Sequence, residues 1–192
     1  MFNIVIFGAP GAGKGTQAEM LAKKFALMHL STGDIFRKEI SAGTELGKLA
    51  QKYTDSGEFV PDEVVIDMIA AQFGQYPGVK GFLFDGFPRT IAQAEAFDKM
   101  LTKHNQKISV VLALEVETDE LVKRLQLRGE SSGRADDMSM DVIRNRIEVY
   151  NQKTKPIIDY YIAQNKYCSV NGTGEIADIF GRLCDNVEKL AK

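Results

Sequence analysis

Apolar residues follow two patterns along this chain. Nearly unbroken short runs fall at Phe2–Phe7, Gly81–Phe84, Ile108–Leu114 and Tyr167–Val170, with a shorter one at Leu27–Leu30. Runs of this length without polar alternation predict strands covered on both faces, as in a parallel sheet between helical layers. Between them, apolar positions recur at three- and four-residue spacing, the mark of amphipathic helices. The expectation is an open α/β fold of βαβ units with five strands.

Several helices can be placed. Lys14–Phe25 puts Ala18, Leu21, Ala22 and Phe25 on one face. Thr118 is expected to cap a helix whose first turn carries Asp119 and Glu120. Met140–Gln164 aligns Ile143, Ile147, Tyr150, Ile157 and Tyr161 in one stripe, with a kink expected at Pro156. The last helix repeats Ile176, Phe180, Leu183, Val187 and Leu190. That spacing also fits a coiled-coil seam, but a single helix of this length packs on its own core. Ser31–Pro61 and Gly129–Asp137 fit neither pattern and read as insertions beside the core, at the strand ends where such segments act as lids.

The strongest chemical signal is Gly8-Ala9-Pro10-Gly11-Ala12-Gly13-Lys14-Gly15-Thr16, which follows the first strand and opens the first helix. That context makes it a P-loop: glycines let backbone N–H groups turn toward phosphates, the helix start adds positive potential, and Lys14 reaches the β and γ phosphates. Gly15 stands where a magnesium-binding hydroxyl is usual, and Thr16 follows it. Asp85 ends an apolar run, the place of a carboxylate that holds magnesium through water. Arg124 and Arg128 are four apart and share a helix face; Arg146 lies beside the apolar stripe while Arg144 points away. An arginine beside a buried face needs an anionic partner, either a core carboxylate or a bound phosphate.

These residues resemble the adenylate kinases and their nucleoside monophosphate kinase relatives, and the resemblance runs along essentially the whole chain. The loop variant G-x-P-G-x-G-K-G-T is theirs. Ser31-Thr32-Gly33-Asp34 with Arg37 resembles the first monophosphate-binding segment, and Glu58-Phe59-Val60-Pro61-Asp62 resembles the family's V-P-D element. Asp85-Gly86-Phe87-Pro88-Arg89 with Gln93 matches D-G-[FY]-P-R, and Arg128-Gly129, Gly133–Asp137 and Arg146 resemble the lid and R-x-E-x-Y.

The resemblance implies a three-layer α/β P-loop fold, its five-stranded parallel sheet flanked by helices and carrying two small mobile insertions. The core would comprise 1–30, 61–127 and 139–192, with a monophosphate-binding insertion at 31–60 and a short lid at 128–138. It implies magnesium-dependent ATP + AMP = 2 ADP, a step of adenine nucleotide homeostasis. ATP is expected on Gly11, Ala12, Gly13, Lys14, Gly15, Thr16 and Arg128, with its base at Gly174. AMP is expected on Thr32, Arg37, Glu58, Phe59, Val60, Gly86, Phe87, Pro88, Arg89, Gln93, Arg134 and Arg146. Lys14, Asp85, Arg89, Arg124, Arg128, Arg134 and Arg146 would carry catalysis, Asp136 and Asp137 would support lid closure and the magnesium shell, and magnesium would sit by Asp85 and Thr16. The short lid lacks the four cysteines of longer bacterial lids, so zinc is not expected.

Composition narrows the alternatives. With 44% hydrophobic and 26% charged residues, 192 residues make an ordinary single globular domain, and a net charge of -2 argues against nucleic acid or anionic membrane as partner. Cys168 and Cys184 form no pair motif, Phe2–Phe7 lacks a basic n-region, and no apolar stretch is long enough to span a bilayer, so a cytoplasmic protein is expected; one compact domain with a complete site suggests a monomer. His29 and His104 read as structural and solvated, because an already ionised acceptor phosphate requires no base. The rivals are a UMP/CMP kinase, against which Thr32 and the Arg89-to-Gln93 spacing stand, and a noncatalytic nucleotide sensor, against which Lys14, Asp85 and the lid arginines stand.

Overall fold

The computed structural model describes residues 1–76 and 78–190. Strands Asn3–Gly8 (β1), Met28–Ser31 (β2), Phe82–Asp85 (β3), Ile108–Glu115 (β4) and Tyr167–Asn171 (β5) form one parallel sheet in the order β2-β3-β1-β4-β5. The helices are Lys14–Phe25 (α1), Thr32–Ser41 (α2), Glu45–Thr54 (α3), Asp62–Gly74 (α4), Ile91–Lys103 (α5), Thr118–Ser132 (α6), Met140–Val149 (α7), Ile157–Ile162 (α8) and Ile176–Leu190 (α9).

Alternate residues of β1 explain its unbroken apolar run. Val5 and Phe7 join a core with Phe73 of α4, Phe97 and Leu101 of α5, and Tyr161 of α8. Ile4 and Ile6 join a second core with Leu21 of α1, Leu125 of α6, Ile143 of α7 and Leu183 of α9. A strand covered on both faces has no polar side to show. Because β1 lies between β3 and β4, the chain switches direction there, and a crevice opens at the carboxyl ends of the strands. Register brings Ser31 opposite Asp85 and Gly8 opposite Leu114, so the site-bearing turns leave the sheet at one edge.

Four local expectations are corrected. Thr118 does not cap α6; Glu117 is the N-cap, without a side-chain bond, and the entry rests on its extended backbone with Asp119 and Glu120 in the first turn. The stripe from Ile143 to Tyr161 is divided by a π-helical turn, Tyr150–Thr154, in which Lys155 N–H bonds the Tyr150 carbonyl at 2.9 Å. The division sends Ile143 and Ile147 to one core and Ile157 and Tyr161 to the other. In α9 the buried face is Ile179, Leu183, Cys184 and Val187, whereas Ile176 is 54% exposed; the Leu190 side chain lies outside the description. Ser31–Pro61 contains α2 and α3, capped by the Ser31 and Thr44 hydroxyls, which accept from the N–H groups of Asp34 (3.3 Å) and Gly47 (3.0 Å). These helices bury few residues, chiefly Phe36 and Ala50, so their apolar stripes are narrow. At the second expected insertion, α6 continues through Arg128 to Ser132 without a break, and the turn Ala135–Asp137 follows.

Candidate active site

Gly8, Gly11 and Gly13 all take positive φ (150°, 86° and 88°), which turns the chain sharply out of β1 and into α1. A Cβ on Gly11 would lie 2.8 Å from the Leu121 carbonyl oxygen, so glycine also permits the loop to press on α6. The start of α1 has no side-chain cap and no acidic residue in its first turn, leaving its N–H groups and dipole for an anion. Lys14 Nζ donates to the carbonyls of Gly8 (2.7 Å) and Ala9 (3.0 Å). Burial lowers its pKa to about 8; Asp85 opposes that shift, and Arg89, Arg146 and Arg128 add to it.

Beside the loop is a cavity of about 300 Å³, lined among others by Lys14, Thr32, Arg37, Phe59, Arg89 and Arg146. Its floor is the turn after β3. Thr32 Oγ1 donates to the Gly86 carbonyl at 2.9 Å, and Arg89 Nε donates to the same oxygen at 2.6 Å. Gly86 has φ 77°, and a Cβ there would sit 2.7 Å from Thr32 Oγ1, so only glycine allows this convergence. The Arg89 guanidinium lies 5.0 Å from the centre of the Phe59 ring. Its pKa is held below the ordinary guanidinium value by burial and then by Arg146. A guanidinium keeps its proton, so the shift means that this pocket favours an incoming anion.

Three expected acceptor residues are held indirectly. Gln93 is 1% exposed; its Oε1 accepts the Arg89 N–H (2.8 Å) and its Nε2 donates to Asp62 (2.7 Å). Phe87 is a core side chain, 5.0 Å from Phe97 ring to ring, and only its backbone neighbours the cavity wall at Gly86 and Pro88. Arg37 lines the cavity and pairs with Asp34. Asp62, within the V-P-D element but not singled out as a site residue, binds both Gln93 and the Thr90 hydroxyl (2.8 Å). Asn145 was likewise missed: its Nδ2 donates to the Ser56 carbonyl (2.7 Å) and to Glu58 (3.2 Å), which also pairs with Lys153 (3.4 Å). These contacts join segments far apart in sequence, and no local spacing announces them.

Arg128, Arg134 and Arg146 converge on two carboxylates. Arg128 bonds Asp137 through Nε (2.6 Å) and Nη2 (3.1 Å), Arg134 bonds Asp136 (3.1 and 2.9 Å), and Arg146 bonds both Asp136 (3.0 Å) and Asp137 (2.5 Å). The anionic partners of Arg146 are thus carboxylates here. Burial disfavours its charge more than they restore it, whereas Asp136 outweighs burial at Arg134 and raises that pKa. Burial also opposes the Asp136 carboxylate charge, but Arg134 and Arg146 hold its pKa below the usual range. Arg124 stands apart from this cluster, bonding Glu120 (2.7 Å) and the Gly172 carbonyl (3.1 Å) near the exposed Gly174.

Asp85 is buried at the end of β3, with His29 Nε2 3.8 Å from its Oδ2, and a Cβ on Gly15 would lie 3.9 Å from that oxygen. Thr16, one residue on, is exposed. A carboxylate beside the phosphate loop suits magnesium, which keeps most of its water and binds through one or two carboxylates plus phosphates. Cys168 and Cys184 are free, and burial raises both thiol pKa values, so they are poor nucleophiles.

Comparison with known proteins identifies the family. A family model described as adenylate kinase matches residues 6–166. An adenylate kinase of Bacteroides thetaiotaomicron is 53% identical over 190 residues, covering 99% of this chain and 100% of that protein. One of Flavobacterium psychrophilum is 51% identical over the same coverage, and one of Porphyromonas gingivalis is 44% identical over 192 residues, 100% of this chain and 98% of that protein.

Proposed function

This chain belongs to the adenylate kinase family and is a phosphotransferase of the reaction ATP + AMP = 2 ADP, and from that premise we propose how its residues divide the work. The carrying observation is the convergence of Lys14, Arg89 and Arg146 on the cavity beside the phosphate loop, where burial and then the neighbouring cations hold all three below their ordinary pKa values. Such a cluster is stabilised by the phosphates of two nucleotides.

The donor triphosphate lies along Gly11–Thr16, with its base against Gly174. The acceptor monophosphate is gripped by Arg37 and Arg89, with its nucleoside among Thr32, Glu58, Phe59, Val60, Gly86, Pro88 and Gln93. An AMP phosphate oxygen, already ionised, attacks the γ-phosphorus in line; the bond from that phosphorus to the β–γ bridging oxygen breaks, and ADP departs on each side. Lys14 follows the moving phosphoryl group, and Arg128, Arg134 and Arg146 neutralise its equatorial oxygens. Their planar forks suit two oxygens at a time. Positioning and charge neutralisation suffice, so no side chain serves as base.

Adenylate kinases work on MgATP; Asp85, through water, and Thr16 would hold the ion here, and when bound it neutralises charge on the donor phosphates. Asp136 and Asp137 anchor the arginines, and closing of 31–60 and 128–138 excludes water that would otherwise take the phosphoryl group. One chain carries every group named, which supports a monomer. No helix among the described residues is long and apolar enough to cross a membrane, and two free thiols fit a reducing cytoplasm.

The test is a coupled assay with MgATP and, separately, AMP, UMP, CMP and GMP, with Lys14→Met as control. Turnover confined to AMP and lowered by orders of magnitude in Lys14→Met is expected. Turnover with UMP or CMP would overturn the adenine reading of Thr32 and Gln93. Tight binding without turnover would instead make the protein a nucleotide sensor.

A further inference from the structure

Three of the eight arginines, Arg124, Arg144 and Arg182, have no part in the scheme above. Arg144 is exposed on α7, whereas Arg182, half-buried on α9, donates from Nη1 to the carbonyls of Asn171 (2.7 Å) and Thr173 (2.8 Å). Those carbonyls begin the connection from β5 to α9. With Thr173, Gly174 and Glu175 exposed and Gly172 and Gly174 free of side chains, its composition is that of a mobile loop.

The loop is instead tied at almost every residue. Gly172 N–H donates to the Glu115 carbonyl (2.8 Å) and Thr173 N–H to Asn171 Oδ1 (2.8 Å). Arg124 takes the Gly172 carbonyl (3.1 Å), and the Glu175 carbonyl accepts from Asp178 and Ile179 (both 3.1 Å). At the far end, Gln17 Nε2 donates to the Ile176 carbonyl at 3.0 Å. Among the described residues, Gly174 keeps both its N–H and its carbonyl without an intramolecular partner. A single residue offering one backbone donor and one backbone acceptor from a braced loop complements an adenine edge, which presents an amine and ring-nitrogen acceptors.

We propose that Gln17 and Arg182 are positioning residues for the donor base, holding loop 171–176 so that the backbone N–H and carbonyl of Gly174 meet adenine at a fixed distance from the phosphate loop. The inference rests on the reading of Gly174 as the base contact. Gln17 is three residues after Lys14 on α1. One rigid helix therefore presents its N-terminus to the phosphates and fixes, through a side chain only 2% exposed, the start of α9 behind the base. Arg182 closes the loop from the other end with bonds strengthened by its charge. Both act through the backbone they hold.

Calorimetric titration of ATP and of inorganic tripolyphosphate tests this, alongside steady-state kinetics. Arg182→Met keeps the aliphatic stem and removes the donors, and Gln17→Leu keeps the volume. Each should weaken ATP about fivefold, the worth of one ordinary hydrogen bond, and raise its KM likewise. Tripolyphosphate affinity, the KM for AMP and kcat should stay within about twofold, since those hydrogen bonds lie away from the phosphates. Arg182→Lys should recover part of the loss. Unchanged ATP affinity in Arg182→Met, or equal weakening of ATP and tripolyphosphate, would overturn the proposal; the half-buried Arg182 keeps this decisive even where Gln17→Leu fails to fold. Gly174→Val checks the premise separately: ATP binding intact in that variant refutes the base site itself, whereas ATP weakened there but not in the brace variants refutes only the positioning role.

Discussion

Asp137 is the most informative residue to remove. Its side chain is 0% exposed and bonds Arg128 twice and Arg146 once, with Arg134 Nε 3.6 Å away. Breaking a buried ion pair by deleting one partner costs about 3–5 kcal/mol, because the remaining charge is left uncompensated. Arg128 is 37% exposed and Arg134 and Arg146 are 22% and 16% exposed, so water relieves part of that cost. The lower end, about 3 kcal/mol, is therefore the expected loss in Asp137→Ala. For a chain of this size that corresponds to a fall in Tm of about 6–12 °C, read by calorimetry or circular dichroism. The variant also leaves three guanidinium groups facing one another, which an anion can bridge. Sulfate should raise its Tm more than that of the unmodified protein, and bound ATP should narrow the gap between the two. A fall below about 2 °C would refute the reasoning, since it would mean the cluster contributes no more than exposed pairs do. So would an equal response of both proteins to sulfate.

Two further outcomes follow from the same site. The folded-state pKa of Lys14, about 8, lies below the ordinary lysine value of 10.5, so its charge costs stability below pH 8 and that cost is relieved as pH rises from about 8 to 10.5. Donor phosphates restore the proton; ATP binding at about pH 8.5 should therefore take up a fraction of a proton, measured by calorimetry in buffers of different ionisation enthalpy. Uptake absent from the unmodified protein, or persisting in Lys14→Met, would refute this. Gly57 has φ 78°, and a Cβ there would lie 2.8 Å from Arg146 Cγ and 3.1 Å from the Val142 carbonyl oxygen. Gly57→Ala should cost about 2 kcal/mol in urea unfolding and lower turnover by displacing Arg146; unaltered stability would show that the backbone relaxes freely there.

Much of this molecule is legible in one dimension. The unbroken apolar runs announce a doubly covered sheet because a strand with a helix on each face has no polar side, and β1 bears this out residue by residue. The phosphate loop is legible because its chemistry is local: positive-φ glycines, a lysine and a helix start must be contiguous to act together. Helix periodicity is less reliable where the backbone departs from regularity. The π-helical turn at Tyr150–Thr154 rotates Ile157 and Tyr161 to the opposite side of the sheet from Ile143, which a wheel drawn at constant pitch cannot foresee.

The sequence by itself therefore determined the fold class, the phosphate loop and the identities of the arginines. Only the tertiary structure decided their partners. Arg124 goes to the Gly172 carbonyl and not to the lid cluster, Asp62 holds Gln93, and Asn145 reaches across to Ser56. Gln17 and Arg182 meet one loop from two helices. The physical reason is range. Burial and backbone conformation act over a few residues and leave a period in the chain, whereas a side-chain hydrogen bond needs only an approach of about 3 Å, which distant segments achieve once the sheet and its helices have set them side by side.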